Sequence, residues 1–280
     1  MEISANHVIA LFVKALKRLF ADEAVPLAGN IAFRTMFSIF PFLIFLTSLA
    51  GFFGSADLAQ RIVNFLFSVA PEQLIRPLSG EITAILTIPR SGLLSLSAAL
   101  TIWSAMAGVD SIRVALNRAY DIKETRSIWF IYAQNVVFVI GAAILLLAVA
   151  VLLVVFPVVT NVLANYAPEQ LVHFTSYEPL RYPLAILLLC MGLYIAHQVL
   201  PARPSRAKTL LPGILLTVVV WLGLSEIFSF WLVRFNTFAS TYASLSGIFA
   251  AMFFLYLAAL VMIFGGEFNR VLMLLKEPSA

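Results

Sequence analysis

Glu226 stands inside the stretch "WLGLSEIFSFWLV", with Ser225 beside it, Ser229 one turn on and no other ionisable group in the run. A carboxylate flanked by hydroxyls can exchange a proton, or hydrogen-bond a polar group moving past it. In so apolar a run an ionisable side chain is expensive, and it is expected to face a bundle interior or a wet cavity. Two readings stay open. In one, Glu226, Ser225 and Ser229 mark a substrate pathway in an outward-facing polar cavity, and protonation of Glu226 accompanies substrate movement. In the other, Glu226 is a neutral acid hydrogen-bonded to a neighbouring helix.

A second set of polar residues falls at the opposite ends of the apolar runs. Arg34, Asp110, Asn117, Arg118 and Glu267 are expected to form a polar cluster on one membrane face. Glu267 follows Gly265 and Gly266 in "VMIFGGEFNR". It is expected to pair with Arg34, with Asp110 as the alternative acid, while the glycines let a neighbouring backbone approach. The plainer reading is that the glycines loosen a helix end and Glu267 reaches water.

Other chemistries lack their residues. Metal-dependent hydrolysis needs clustered His and carboxylate ligands. His7, His173 and His197 are far apart without ligand spacing, so no metal site is expected. No G-x-x-x-x-G-K-[ST] loop is present, which argues against ATP-driven transport within this chain. Cys190 is the single cysteine and reads as a small hydrophobe. No cofactor is implied.

The elements that must carry these residues are membrane helices. Of 280 residues 62% are hydrophobic and 11% charged, and the mean hydropathy is +0.99. Soluble domains carry about 25% charged residues. Six apolar runs meet the spanning length of about 20 residues: 32–53, 91–109, 129–156, 182–200, 210–233 and 245–266. None alternates as a membrane strand would. The expected fold is an all-α polytopic membrane protein, a single membrane domain over 1–280. "TSLAG" at 47–51 imitates a cleavage site, but the apolar region before it exceeds a secretory core. It is expected to be an uncleaved first span.

On that map twelve Lys and Arg fall with the two termini and five on the other face, Arg34 being left inside the first span. The bias places both termini in the cytoplasm. Residues 4–20 read as an amphipathic helix, with Val8, Leu11, Phe12, Ala15, Leu16 and Leu19 apolar and Lys14, Lys17 and Arg18 on another face. It either lies on the inner leaflet or packs on the ends of the bundle. The outer loop at 55–90 carries two further apolar stripes, read as short surface helices. Pro41 falls mid-span and should kink the first helix by freeing the Phe37 carbonyl, with Ser38 near enough to help satisfy freed groups. Pro212 suits a first helical turn. Gly247, Ala251 and Ala243 recur at a spacing that favours close helix packing.

"FSIFPFLIFL", "LTIWSAMAGVDSIRVALNRAYDIKETR", "LPARPSRAKTLLPG" and "SLSGIFAAMFFLYLAALVMIFGGEFNR" stand in an order and spacing that resemble the YihY/BrkB family of bacterial inner-membrane proteins. The resemblance covers residues 27 to 272, with Arg34 where the family more often has an aromatic such as Tyr. It implies a six-helix, permease-like inner-membrane protein; the family also carries an old ribonuclease label, ribonuclease BN, which the residues do not support. The function expected is movement or flipping of a lipid or other amphiphile. The alternative is a structural or regulatory envelope subunit. Expected partners are membrane lipids, with a homo-oligomer or an envelope partner left open and no nucleic acid. Reporter fusions after residues 57 and 170 should report the periplasm, and fusions after 121 and 276 the cytoplasm. A cytoplasmic signal at residue 170 would refute the six-span map.

Overall fold

The computed structural model describes residues 5–52, 91–156, 180–235 and 243–275. The expected outer-loop helices at 55–90 lie outside these residues. The described chain is all-α, without strands. The helices are α1 (Ala5–Ala21), α2 (Ala24–Phe52), α3 (Ser91–Ala119), α4 (Ile128–Ala150), α5 (Arg181–Val199), α6 (Ala207–Phe235) and α7 (Ala243–Leu274). A π-helical turn, Val151–Val155, continues α4. Six helices, α2 to α7, are long and apolar enough to cross a membrane. α1 is the amphipathic exception.

Several boundaries differ from the hydropathy reading, each for a physical reason. α3 continues through Asp110 to Ala119, because its polar residues are satisfied within the protein instead of ending the helix: Ser111 Oγ donates to the Ala107 carbonyl, and Arg113 bonds Asp110. Asn117 and Arg118 therefore belong to its last turn, not to a loop. α7 runs unbroken through Gly265 and Gly266 to Leu274, so the glycines do not end it. α6 starts at Ala207, which puts Pro212 inside the helix instead of in its first turn. Pro41 likewise lies within an uninterrupted α2, and the Ser38 hydroxyl donates to the Thr35 carbonyl, not to that of Phe37.

The chain divides into two compact units, described separately. One comprises Leu19–Ala115 and Trp221–Ile263. In it Asn30 Nδ2 donates to Ser111 Oγ at 3.3 Å, which ties α2 to α3. Trp221 Nε1 donates to the Ala258 carbonyl at 2.9 Å, and the Phe228 and Phe254 rings meet at 5.0 Å, tying α6 to α7. Gly247 is buried and Ala251 half-buried.

The other unit comprises Met1–Arg18, Leu116–Val220 and Phe264–Ala280. Here α6 and α7 come into backbone contact. A Cβ on Gly213 would collide with the Gly265 carbonyl oxygen, and one on Gly265 with Thr217 Oγ1 and the Gly213 carbonyl. Two interior glycines cost each helix about 1 kcal/mol apiece relative to alanine. The close approach they permit is the compensation: without a hydrophobic drive between helices in lipid, association depends on such packing. Gly266 faces Ala119, Leu116 and His197, at 3.3 to 3.8 Å from an added Cβ. The backbone approach expected at the glycine pair is thus found at Gly265.

Alanine at Gly213 or Gly265 must push the helices apart. Each is expected to destabilise by at least the 1–3 kcal/mol typical of overpacking, roughly. Alanine at Gly223, which lies inside the same helix but has open space, should cost nothing and can add up to about 1 kcal/mol of stability. SDS-induced unfolding in mixed micelles measures the difference.

Candidate functional site

A dense polar arrangement grows from the α6–α7 contact. Asn269 lies one turn beyond Gly265 on α7, and its Oδ1 accepts the Gly213 N–H at 2.7 Å. Its Nδ2 donates to the Leu210 carbonyl at 2.9 Å and to Tyr120 Oη at 3.3 Å. Tyr120 Oη therefore accepts from Asn269, and its own proton is directed to His197 Nδ1, 2.6 Å away. With the Tyr120 proton directed to Nδ1, the neutral imidazole carries its hydrogen on Nε2. Nε2 is buried with no hydrogen-bond partner among the described residues. His197, Asn269 and Glu267 are fully buried, and burial pushes the Tyr120 hydroxyl well above its ordinary pKa.

An ion-pair network adjoins this core. Arg18 Nε donates to Glu267 Oε2 at 2.8 Å, and Arg18 Nη2 to Asp121 Oδ2 at 3.0 Å. Arg270 Nε donates to the same Asp121 oxygen at 3.0 Å. Burial disfavours the charged form of Asp121, but the hydrogen bonds from Arg270 and Arg18 outweigh it and hold its carboxyl below the usual range. Asp121 also ends α3: Ile122 N–H bonds the Asn117 carbonyl and Asp121 N–H the Arg118 carbonyl. That is a Schellman closure, whose left-handed position usually takes glycine. Asp121 occupies it with φ of 56°. Asp is among the few residues that tolerate this conformation, and here its carboxylate gathers two arginines.

The following loop is fixed in the same unit. Arg126 bonds both Glu124 carboxylate oxygens at 2.8 Å and the Leu200 carbonyl at 2.7 Å. It thus places a cation at the carbonyl end of α5, where the helix dipole favours one. Asn117 Nδ2 donates to Glu124 Oε2, and Asn117 Oδ1 accepts the Ala202 N–H.

Arg34 and Glu267, expected as a pair, belong to different units and are each bonded within their own. Arg34 Nε donates to Asn30 Oδ1 at 3.0 Å and Nη1 to the Ala107 carbonyl at 3.1 Å, while Glu267 receives Arg18. Asp110 is bonded by Arg113, three residues along the same helix, at 2.9 Å. Of the expected cluster, Asn117, Arg118 and Glu267 belong to one unit and Arg34 and Asp110 to the other. Arg18, Tyr120, Asp121, His197 and Asn269 enter the arrangement without having been assigned to it from sequence.

Glu226, Ser225 and Ser229 occupy a different setting. All three are exposed. Ser225 Oγ donates to the Trp221 carbonyl at 2.9 Å. On the α6 wheel Glu226 lies roughly 160° from Phe228, whose ring meets Phe254 of α7, at about 100° per residue. Its neighbours on that face are Val219, Leu222 and Phe230, all exposed.

A family model described as virulence factor BrkB matches residues 15–278. The chain belongs to the BrkB family. Among curated relatives of this BrkB-family chain is the ribonuclease-like protein YfkH of Bacillus subtilis (strain 168), 27% identical over 265 residues, covering 92% of this chain and 94% of the relative. No solved structure matches.

Replacing Arg18 with Gln leaves the buried Glu267 carboxylate without that guanidinium, an expected loss of about 3–5 kcal/mol. Glu267→Gln should cost less, since Arg18 keeps Asp121. The double variant should recover part of the loss in SDS-induced unfolding. Additivity within about 0.5 kcal/mol would show that the two residues are not coupled.

Proposed function

We propose that this membrane protein is permease-like, with both termini in the cytoplasm of the bacterial inner membrane, and that it moves or flips a lipid or other amphiphile without enzymatic activity. One observation carries the reading. Ser225, Glu226 and Ser229 form a polar strip on the exposed side of α6, within its candidate span Ala207–Trp231. A carboxylate at that depth is costly beside lipid tails. A headgroup sliding along the strip supplies hydrogen-bond partners to the carboxylate and hydroxyls, while its tails stay among Val219, Leu222 and Phe230. The strip lowers the barrier that the headgroup meets in hydrocarbon, and the headgroup offsets the desolvation of Glu226. No energy source is required for equilibration between leaflets.

Ribonuclease chemistry has weaker support. The relative's name carries it, but among the described residues no three His, Cys, Asp or Glu side chains are grouped to hold a metal. A structural or regulatory envelope role draws on a different observation. Arg18, Asp121, Glu267 and Arg270 are engaged with one another, which suits a rigid element better than a moving one.

Purified protein in liposomes containing a fluorescent headgroup-labelled lipid separates these readings. Under an impermeant reductant, transport lets the inner-leaflet signal decay, whereas empty liposomes keep it. Glu226→Gln replaces a charge-assisted hydrogen bond with a neutral one, a difference of about 1–1.5 kcal/mol, so the decay should slow roughly five- to tenfold. Folded protein giving decay no faster than empty liposomes would overturn lipid flipping and favour the structural role.

A further inference from the structure

Helix α1 has three lengthwise sectors, each with its own chemistry. At about 100° per residue, Ile9, Val13, Leu16 and Phe20 share one narrow face. They are 60, 46, 47 and 63% exposed, so four large apolar side chains stand in an unbroken row without protein cover. The far side is protein-bound. Ala15 is fully buried and Arg18 holds Glu267 and Asp121, while on one flank the Phe12 ring, still partly open, lies 5.1 Å from Phe268 and 6.1 Å from Phe264. Between the two, on the other flank, come Lys17 and Lys14, both exposed and neither ion-paired among the described residues.

That order around the axis matches a helix at the junction of lipid tails, headgroups and protein. Water does not suit the apolar row, which would leave a contiguous hydrophobic patch in solvent. A second protein copy would have to cover the row while leaving two adjacent lysines without acidic partners. Anionic headgroups supply both needs: chains for the row and phosphates for the lysines. Depth agrees as well. Only Asp22 and Glu23 separate the end of α1 from the candidate span that starts at Ala24, and Glu23 takes φ of 56° to turn the chain.

We propose that the Ile9–Val13–Leu16–Phe20 face of α1 is seated in the membrane leaflet on the N-terminal side, with Lys14 and Lys17 bound to the phosphates of anionic phospholipids. Arg18 fixes the opposite face of the helix, so lipid docking and protein packing occur together and neither requires α1 to detach.

The test uses the full chain with Cys190→Ser, carrying Val13→Cys or Leu16→Cys labelled with a small fluorophore, in vesicles of phosphatidylcholine and phosphatidylglycerol. Both positions are exposed, so neither label disturbs the Arg18 contacts. Chain-brominated phosphatidylglycerol should quench both labels, and more strongly than brominated phosphatidylcholine at equal mole fraction. Aqueous iodide should not. Lys14→Gln with Lys17→Gln should reduce the preference for the anionic lipid by about fivefold per lysine removed. Iodide quenching without lipid quenching would place the row in water and overturn the proposal. Protection from both quenchers would mean that a second copy covers the row, and would overturn it equally. Lipid quenching with no anionic preference would refute the role of the lysines.

Discussion

The backbone contact between Gly213 and Gly265 governs much of its unit. Only two residues without Cβ atoms let α6 and α7 touch at that point. Once they do, positions one turn along α7 are committed: Asn269 falls against the start of α6, where it accepts the Gly213 N–H and donates to the Leu210 carbonyl. Pro212 lies between these two bonded residues, inside the helix. Proline there removes one rung of the helical ladder and frees a carbonyl. A side-chain amide from α7 thus bonds α6 backbone beside the place where the helix's own bonding is interrupted. With Asn269 so fixed, its remaining N–H goes to Tyr120, whose hydroxyl in turn meets His197 Nδ1.

Electrostatics extends the same logic. Glu267 is fully buried, so its charge must be met from within the protein. The cation comes from α1, an element that hydropathy alone would set apart from the spans. Arg18 can reach Glu267 because it lies on the side of α1 opposite Ile9, Val13, Leu16 and Phe20. It also reaches Asp121, whose left-handed backbone ends α3 and whose carboxylate is shared with Arg270. One short stretch, Tyr120–Asp121, therefore serves the neutral hydrogen-bond chain and the charged network together. Burial of the first and arginine contacts to the second move their ionisations outward, which keeps Tyr120 neutral and Asp121 charged near neutrality.

The spans were legible because their apolar runs are long and continuous; the helix ends were not, because hydropathy treats Asp110, Asn117 or Glu267 as a reason to stop. Those residues continue their helices when protein groups satisfy them, and that information lies in other segments. The partners of Arg18 were not legible for a related reason. Its neighbours Lys14 and Lys17 are exposed, and a count of basic residues cannot tell a guanidinium aimed at a buried acid from two ammonium groups aimed outward. Arg34 misled in the opposite direction: as an arginine inside a span it called for an acid, but a carbonyl and an asparagine took its hydrogen bonds. The signal that could have found the core was in "GGEFNR". Glycine, carboxylate and amide occur there within one and a half turns of a helix in which each polar group must have a partner.

Glu226 and Glu267 are alike in sequence, each a carboxylate in an apolar helical run, and opposite in structure. Glu267 has a guanidinium at 2.8 Å and no exposure; Glu226 is exposed on the side of α6 away from α7. A group already held by a fixed partner gains little from a passing ligand, since only a difference in interaction between states can shift an equilibrium or a barrier. Glu267 thus has the character of a fastening. Glu226 keeps its hydrogen-bonding capacity open toward the surroundings, and its cost in hydrocarbon falls only when a polar partner arrives. Of the two, Glu226 is the carboxylate whose energy changes with what lies beside the protein, which is what the proposed movement of a headgroup along α6 requires.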